Sequence, residues 1–167
     1  RAPTPEHLAD LVARYDAIGG ISPLAARTEA QRDALQSALN AIAPDTYEVV
    51  LGLKHAAPMI ETAVNDLAAR GFRHIIGLVL APHYSSFSIG QYMDRTRAAA
   101  EPHGITVTSI DSWATEPAFI EFLAADLRTR LSAMPENTKV LFTAHSLPQR
   151  IIDDGDPYPD ELRSTAE

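Results

Sequence analysis

From Tyr47 onward the chain switches repeatedly between two hydrophobic periods, and that switching leaves it few ways to fold. Short runs rich in Val, Ile and Leu fall at residues 47–53, 74–80, 105–110 and 139–143. Between them lie stretches with apolar residues at helical spacing, 58–70, 89–101 and 117–133, the first two punctuated by Gly71 and Gly104. A continuous apolar run suits a strand buried on both faces, and intervals of this length between strands suit a helical crossover rather than a hairpin. The pattern predicts an α/β protein, a doubly wound, Rossmann-like parallel sheet flanked by helices with right-handed crossovers.

Two helices precede that alternation. Thr4 is placed to cap a helix with Pro5 at its first position, and Leu8, Leu11, Val12 and Tyr15 fall on one face before Gly19 and Gly20 stop it. A second helix, starting at Pro23 or Thr28 and running to Ile42, carries Ala34, Leu35, Ala38, Leu39 and Ile42 as its expected buried stripe. A parallel sheet introduced by two helices lacks its expected first strand, which would lie upstream of Arg1. The sequence opens without a methionine and closes at Glu167 in a helix-like segment, so a piece of a longer protein is expected.

The 167 residues, 46% of them hydrophobic, suffice for one core and barely for two. A formal charge of −8 with no basic stripe argues against a nucleic-acid partner. With no cysteine, this stretch holds no disulfide, thiolate nucleophile or cysteine-ligated metal, which suits a reducing cytosol. No uncharged apolar run approaches the roughly 18 residues that a membrane span needs. A soluble, cytoplasmic monomer is the expectation.

In an open α/β sheet, ligands bind in the crevice outside the carboxyl ends of the strands. Three of the six histidines, His55, His83 and His145, follow apolar runs, which predicts three imidazoles facing one cleft. The run 47–53 leads to Lys54 and His55 just before a helix start, a place that favours anions; the plain alternative is an exposed lysine and a loop histidine. The run 74–80 leads to Pro82, His83, Tyr84, Ser85, Ser86 and Ser88 ahead of a helix bearing Tyr92. These residues form either a polar pocket wall or serine caps beside half-buried tyrosines. His145 is flanked by a strand and by Pro148, so its ring is held by backbone on both sides. Neutral imidazole can bind a borderline metal such as Fe²⁺ or accept a proton, although a structural, partly buried histidine remains the alternative. Ser146 does not fit G-x-S-x-G. Asp153, Asp154, Asp156 and Asp160 lack EF-hand spacing and read as a capped turn. Gly19 and Gly20 match no nucleotide-binding motif.

Five segments, RYDAIGGISPL (14–24), GLKHAAPMIETAV (52–64), LAPHYSSFSIGQY (80–92), AHSLPQRI (144–151) and GDPYPDEL (155–162), resemble the ferrochelatase family in its order and spacing, over essentially the whole chain. The wording is most similar to the soluble enzymes of Gram-positive and actinobacterial type, whose substrate is coproporphyrin III. The resemblance implies a class II chelatase-like fold, with residues 1–113 forming most of a first domain and 114–167 the beginning of a second. It also implies that the intact protein is a lyase of heme biosynthesis that inserts Fe²⁺ into a porphyrin. His145 then corresponds to the histidine that binds the incoming Fe²⁺ and accepts a pyrrole proton. Arg14, Tyr15, Ser22 and Tyr92 match porphyrin contacts, and Lys54 and His55 match a cleft segment near the metal, with His83, Tyr84 and Ser85 lining it. Fe²⁺ enters as substrate, no cofactor is identifiable in this stretch, and an iron-sulfur cluster is left open. A tyrosine, most of an arginine-rich stretch and a glutamate partner of the histidine are expected outside these residues. Two other readings remain: a non-catalytic porphyrin-binding fragment, and a related cobalt chelatase.

Overall fold

The computed structural model describes residues 3–167. The chain divides into two units, residues 1–51 and 52–167.

The first unit holds α1 (Pro5–Ala17) and α2 (Leu24–Ile42). Thr4 caps α1 as its position suggests, its hydroxyl oxygen accepting from the His7 amide at 3.3 Å. Neither helix contains a buried residue, and of the expected α2 stripe only Leu35 and Leu39 are half-buried. The expected strand over 47–53 is not formed within this unit. Its backbone is served by a side chain instead: Gln36 donates to the Tyr47 carbonyl at 2.9 Å and accepts from the Val49 amide at 2.7 Å. A glutamine amide carries one donor face and one acceptor, so it can stand in for a single rung of a neighbouring strand but not for a ladder.

The second unit opens with a turn. Leu53 and Met59 form an isolated parallel bridge, Leu53 N–H donating to the Pro58 carbonyl at 2.7 Å and Ile60 N–H to that of Leu53 at 3.2 Å, which closes 54–58 into a loop ahead of α3 (Ile60–Ala69). Then come β1 (His74–Leu78), a π turn over Ser86–Gly90, α4 (Gln91–Ala100), a short 3₁₀ turn and β2 (Thr106–Ile110). Gly104, at φ 63°, makes the left-handed step that turns the chain from the 3₁₀ turn into β2. The strands pair in parallel from His74 opposite Thr106 to Leu78 opposite Ile110. α5 (Pro117–Leu131), α6 (Gln149–Asp153) and α7 (Tyr158–Ala166) complete the unit.

The core lies where α3 and α4 meet the sheet: Ile60, Val64, Ala100 and Ile105 are buried, with Ile75, Val107, Ala68 and Tyr92 packed against them. Each large apolar side chain so covered contributes about 1.5–3 kcal/mol. α4 comes so close to β1 that a Cβ on Gly77 would stand 2.6 Å from the Met93 sulfur.

The class is therefore mixed α/β, a small parallel sheet flanked by helices, but the sheet is smaller than the sequence predicts. Two strands pair rather than four, and burial alternates along both, with Ile76, Leu78 and Ile110 on an exposed face, so the strands are not buried on both sides. β1 stops short of residue 80 because the Val79 carbonyl accepts from the Trp113 indole at 3.1 Å, outside any ladder. Residues 139–143 are irregular and exposed, Leu141 by 83% and Phe142 by 59%. Apolar content alone does not make a strand; a neighbour with free N–H and C=O groups does, and no third strand is paired among the described residues.

Candidate functional site

In the first unit, Arg14 and Tyr15 occupy the last turn of α1. The Arg14 guanidinium is exposed and paired with Asp10 one turn earlier. Tyr15 is exposed as well. Ser22 is half-buried just before α2, and its hydroxyl oxygen accepts from the Leu24 amide at 3.3 Å.

In the second unit, the turn at 54–58 is held by α4. The Lys54 ammonium donates to the Gln91 side-chain oxygen and lies 5.6 Å from the centre of the Tyr92 ring, within cation–π range. Arg95 forms a two-pronged pair with Glu61 at 2.7 and 2.8 Å, and its third nitrogen donates to the Lys54 carbonyl at 2.9 Å. The hydrogen bond from Arg95, aided by a backbone donor, pushes the Glu61 carboxyl down to about 2, and the same pair raises Arg95. His55 is exposed next to this anchored lysine.

The loop after β1 is tied to α7 and to the turn that precedes it. One oxygen of Asp156 accepts from the Ser85 hydroxyl at 3.1 Å, the Ser86 amide at 2.8 Å and the Ser86 hydroxyl at 2.9 Å, while the other accepts from the Tyr158 amide at 3.1 Å. Burial acts to raise this carboxyl, but the donors from Ser86, Tyr158 and Ser85 outweigh it and hold it below the usual carboxylate range. Glu161 accepts from the Tyr84 amide at 2.6 Å and the Ser112 hydroxyl at 2.9 Å. The His83 Nε2 meets the Thr165 hydroxyl at 2.9 Å, and that hydroxyl donates its one proton to a carbonyl, to Ala114 at 2.8 Å or Glu161 at 3.0 Å. Nε2 is thus the protonated nitrogen of His83, leaving Nδ1 as its acceptor. Burial lowers the His83 pKa, partly offset by the Glu161 carboxylate. The turn reading of the aspartates holds for Asp156 capping Tyr158, but its second oxygen does more, fastening a loop some 70 residues away in sequence.

His145 is exposed on the irregular stretch between α5 and α6, without the preceding strand that sequence reasoning supplied. His83 is turned onto α7, edge-on to Tyr158 with ring centres 6.1 Å apart, and among the described residues no three His, Asp or Glu side chains are arranged to hold a metal ion. An open surface depression of about 500 Å³, lined by Arg97, Glu101, Gly104, Ile105 and Val107, includes none of these residues. What the structure does assemble is two anchored loops, 54–58 and 82–86, both leading to helices. Sequence reasoning named Lys54, His55, Pro82, His83, Tyr84, Ser85 and Ser86 on them and read Asp156 as part of a capped turn, but missed Gln91, Arg95, Glu61, Glu161 and Thr165 as anchors. The only local signal was the helical spacing of Gln91 and Arg95, which puts both on one face.

The ferrochelatase family model matches residues 1–167. The chain belongs to the ferrochelatase family. Similar relatives include the coproporphyrin III ferrochelatases of Oceanobacillus iheyensis, 48% identical over 99% of this chain, Geobacillus kaustophilus at 45% over 99%, and Bacillus subtilis at 44% over 99%. The chain spans about half the length of these relatives, between 54% and 56% of each. Membership gives the α/β sheet its family context. No helix among the described residues is long and apolar enough to cross a membrane.

Proposed function

We propose that this chain contributes the porphyrin-holding and proton-accepting residues of an enzyme that inserts Fe²⁺ into coproporphyrin III, in the cytoplasm and as a monomer. The observation that carries this is the family match along all 167 residues, together with relatives at 44–48% identity whose names specify that reaction. Insertion requires the pyrrole N–H protons to leave as Fe²⁺ sheds water, and a planar ring hides its nitrogens. A site that binds the ring distorted, with a base on one face, favours the shape of the transition state. His145 accepts the proton or hands over the iron; its exposure leaves the ring accessible to a ligand. Arg14, Tyr15 and Ser22 orient the macrocycle and its carboxylates. Tyr92, Lys54 and His55 line the cleft with His83, Tyr84 and Ser85. We assign residues 1–113 to a first domain and 114–167 to the start of a second.

His145→Ala in the intact enzyme tests the assignment: it abolishes the metalloporphyrin absorption spectrum formed from coproporphyrin III and Fe²⁺ or Zn²⁺ while porphyrin binding persists. Normal turnover in that variant removes His145 from the mechanism. The span of about half the relatives' length favours one second reading, that these 167 residues alone bind porphyrin without inserting metal. Binding with no change to a metalloporphyrin spectrum is its signature.

A further inference from the structure

The turn at 54–58 sits between an isolated bridge and α3, and its first two side chains are the lysine and histidine placed in the cleft above. Two separate sets of contacts reach it from α4. Gln91 and Tyr92 take the Lys54 ammonium, whereas Arg95, one helical turn later, takes the Lys54 main chain through its carbonyl at 2.9 Å. A guanidinium is a rigid plane with donors in fixed directions. Once Nε and Nη2 engage both oxygens of Glu61, at 2.7 and 2.8 Å, the direction of the remaining Nη1 donor is set. Glu61 stands in the first turn of α3, so the element that follows the turn aims the arginine that holds the turn. An ion pair serving stability alone needs no third contact; this one spends its third donor on the peptide between Lys54 and His55.

We propose that Arg95, oriented by Glu61, is a positioning residue for the Lys54 and His55 turn, fixing the main chain from which both side chains project. For ligand binding this rests on the reading of Lys54 and His55 as cleft residues: the carboxylates of a porphyrin then meet a cation already in place, with less ordering left to do on binding.

Two variants of the full chain separate positioning from stability. Arg95→Lys keeps the charge but cannot reach Glu61 and the carbonyl together. The swap Glu61→Arg with Arg95→Glu restores an ion pair between α3 and α4 while putting an acceptor where the Lys54 carbonyl needs a donor. In Arg95→Lys, exchange of the Leu53 and Ile60 amides, whose hydrogen bonds close the turn, quickens about tenfold or more, while exchange in the rest of the α3–α4 core stays near the parent rate. The swap recovers the thermal midpoint but leaves the turn fast to exchange, and the Kd for coproporphyrin III, read by fluorescence quenching, rises in both variants. Parental protection of the turn in Arg95→Lys, or its return in the swap, overturns the proposal. Lys54→Met is the ligand control. If it binds coproporphyrin as the parent does, the cleft reading of Lys54 fails, and the exchange data alone decide whether Arg95 holds the turn.

Discussion

Asp156 shows how much one carboxylate can carry when every neighbour is a donor. Its two oxygens receive four hydrogen bonds, three of them on one atom. Asp156→Asn replaces one acceptor with an NH₂ that faces donors whichever way the amide turns, so the loop at 85–86 or the start of α7 loses its partner. A loss of about 1–3 kcal/mol in urea unfolding is expected, and Asp156→Glu is not a rescue because the longer stem displaces the oxygens. Gly77 is the converse case, a residue chosen for what it lacks. A methyl there overlaps the Met93 sulfur at 2.6 Å and its terminal carbon at 3.1 Å, the far end of a flexible side chain that must shift to make room. Gly77→Ala therefore costs about 1 kcal/mol or less by thermal denaturation, and pairing it with the shorter Met93→Val removes the overlap.

At the scale of elements, helices and strands fare differently. α1 is delimited by local chemistry, the Thr4 cap and Pro5 at one end and Gly19 and Gly20 at the other, and all of these are visible in the sequence. Thr4→Ala removes about 1 kcal/mol of local helix stability. Because α1 buries nothing, the change belongs in amide exchange of its first turn rather than in the global unfolding midpoint. The run 139–143 has strand composition without a strand, and along 47–53 the backbone is met by the side chain of Gln36 and by the bridge at Leu53. Both segments satisfy the local condition for a strand, and neither has a paired neighbour to complete it.

For the molecule as a whole, acidity is the informative variable, since one fastening joins the loop after β1 to α7 and the turn before it through groups that titrate. His83 has a lowered pKa in the folded chain, so below the ordinary histidine value of about 6.5 the unfolded chain binds its proton first. Stability therefore rises with pH across that window and falls as pH drops through it. Asp156 and Glu61, both lowered, contribute stability that is present above the ordinary carboxylate range and is lost as pH falls through their folded values, for Glu61 toward about 2. Urea midpoints measured across pH decline in two steps. His83→Gln, which keeps a donor for Thr165, removes the first step and leaves the second; an unchanged first step assigns it to another group.

The sequence alone determined the family, the α/β class, the caps and glycine stops of α1, and the identity of the residues on the loops at 54–58 and 82–86. Those features depend on neighbours within a few positions, on hydrophobic period, caps and glycine stops, or on motifs read in order. The tertiary structure decided which apolar runs became strands, where His83 turned, and which side chains anchored the loops. A strand needs a partner's backbone, and the burial that lowers His83 comes from elements beyond its own loop. Arg95 and Glu61 are 34 positions apart, and Asp156 and Ser86 are 70 apart. No local pattern encodes such pairs, because their energy exists only once the chain has brought donor and acceptor together.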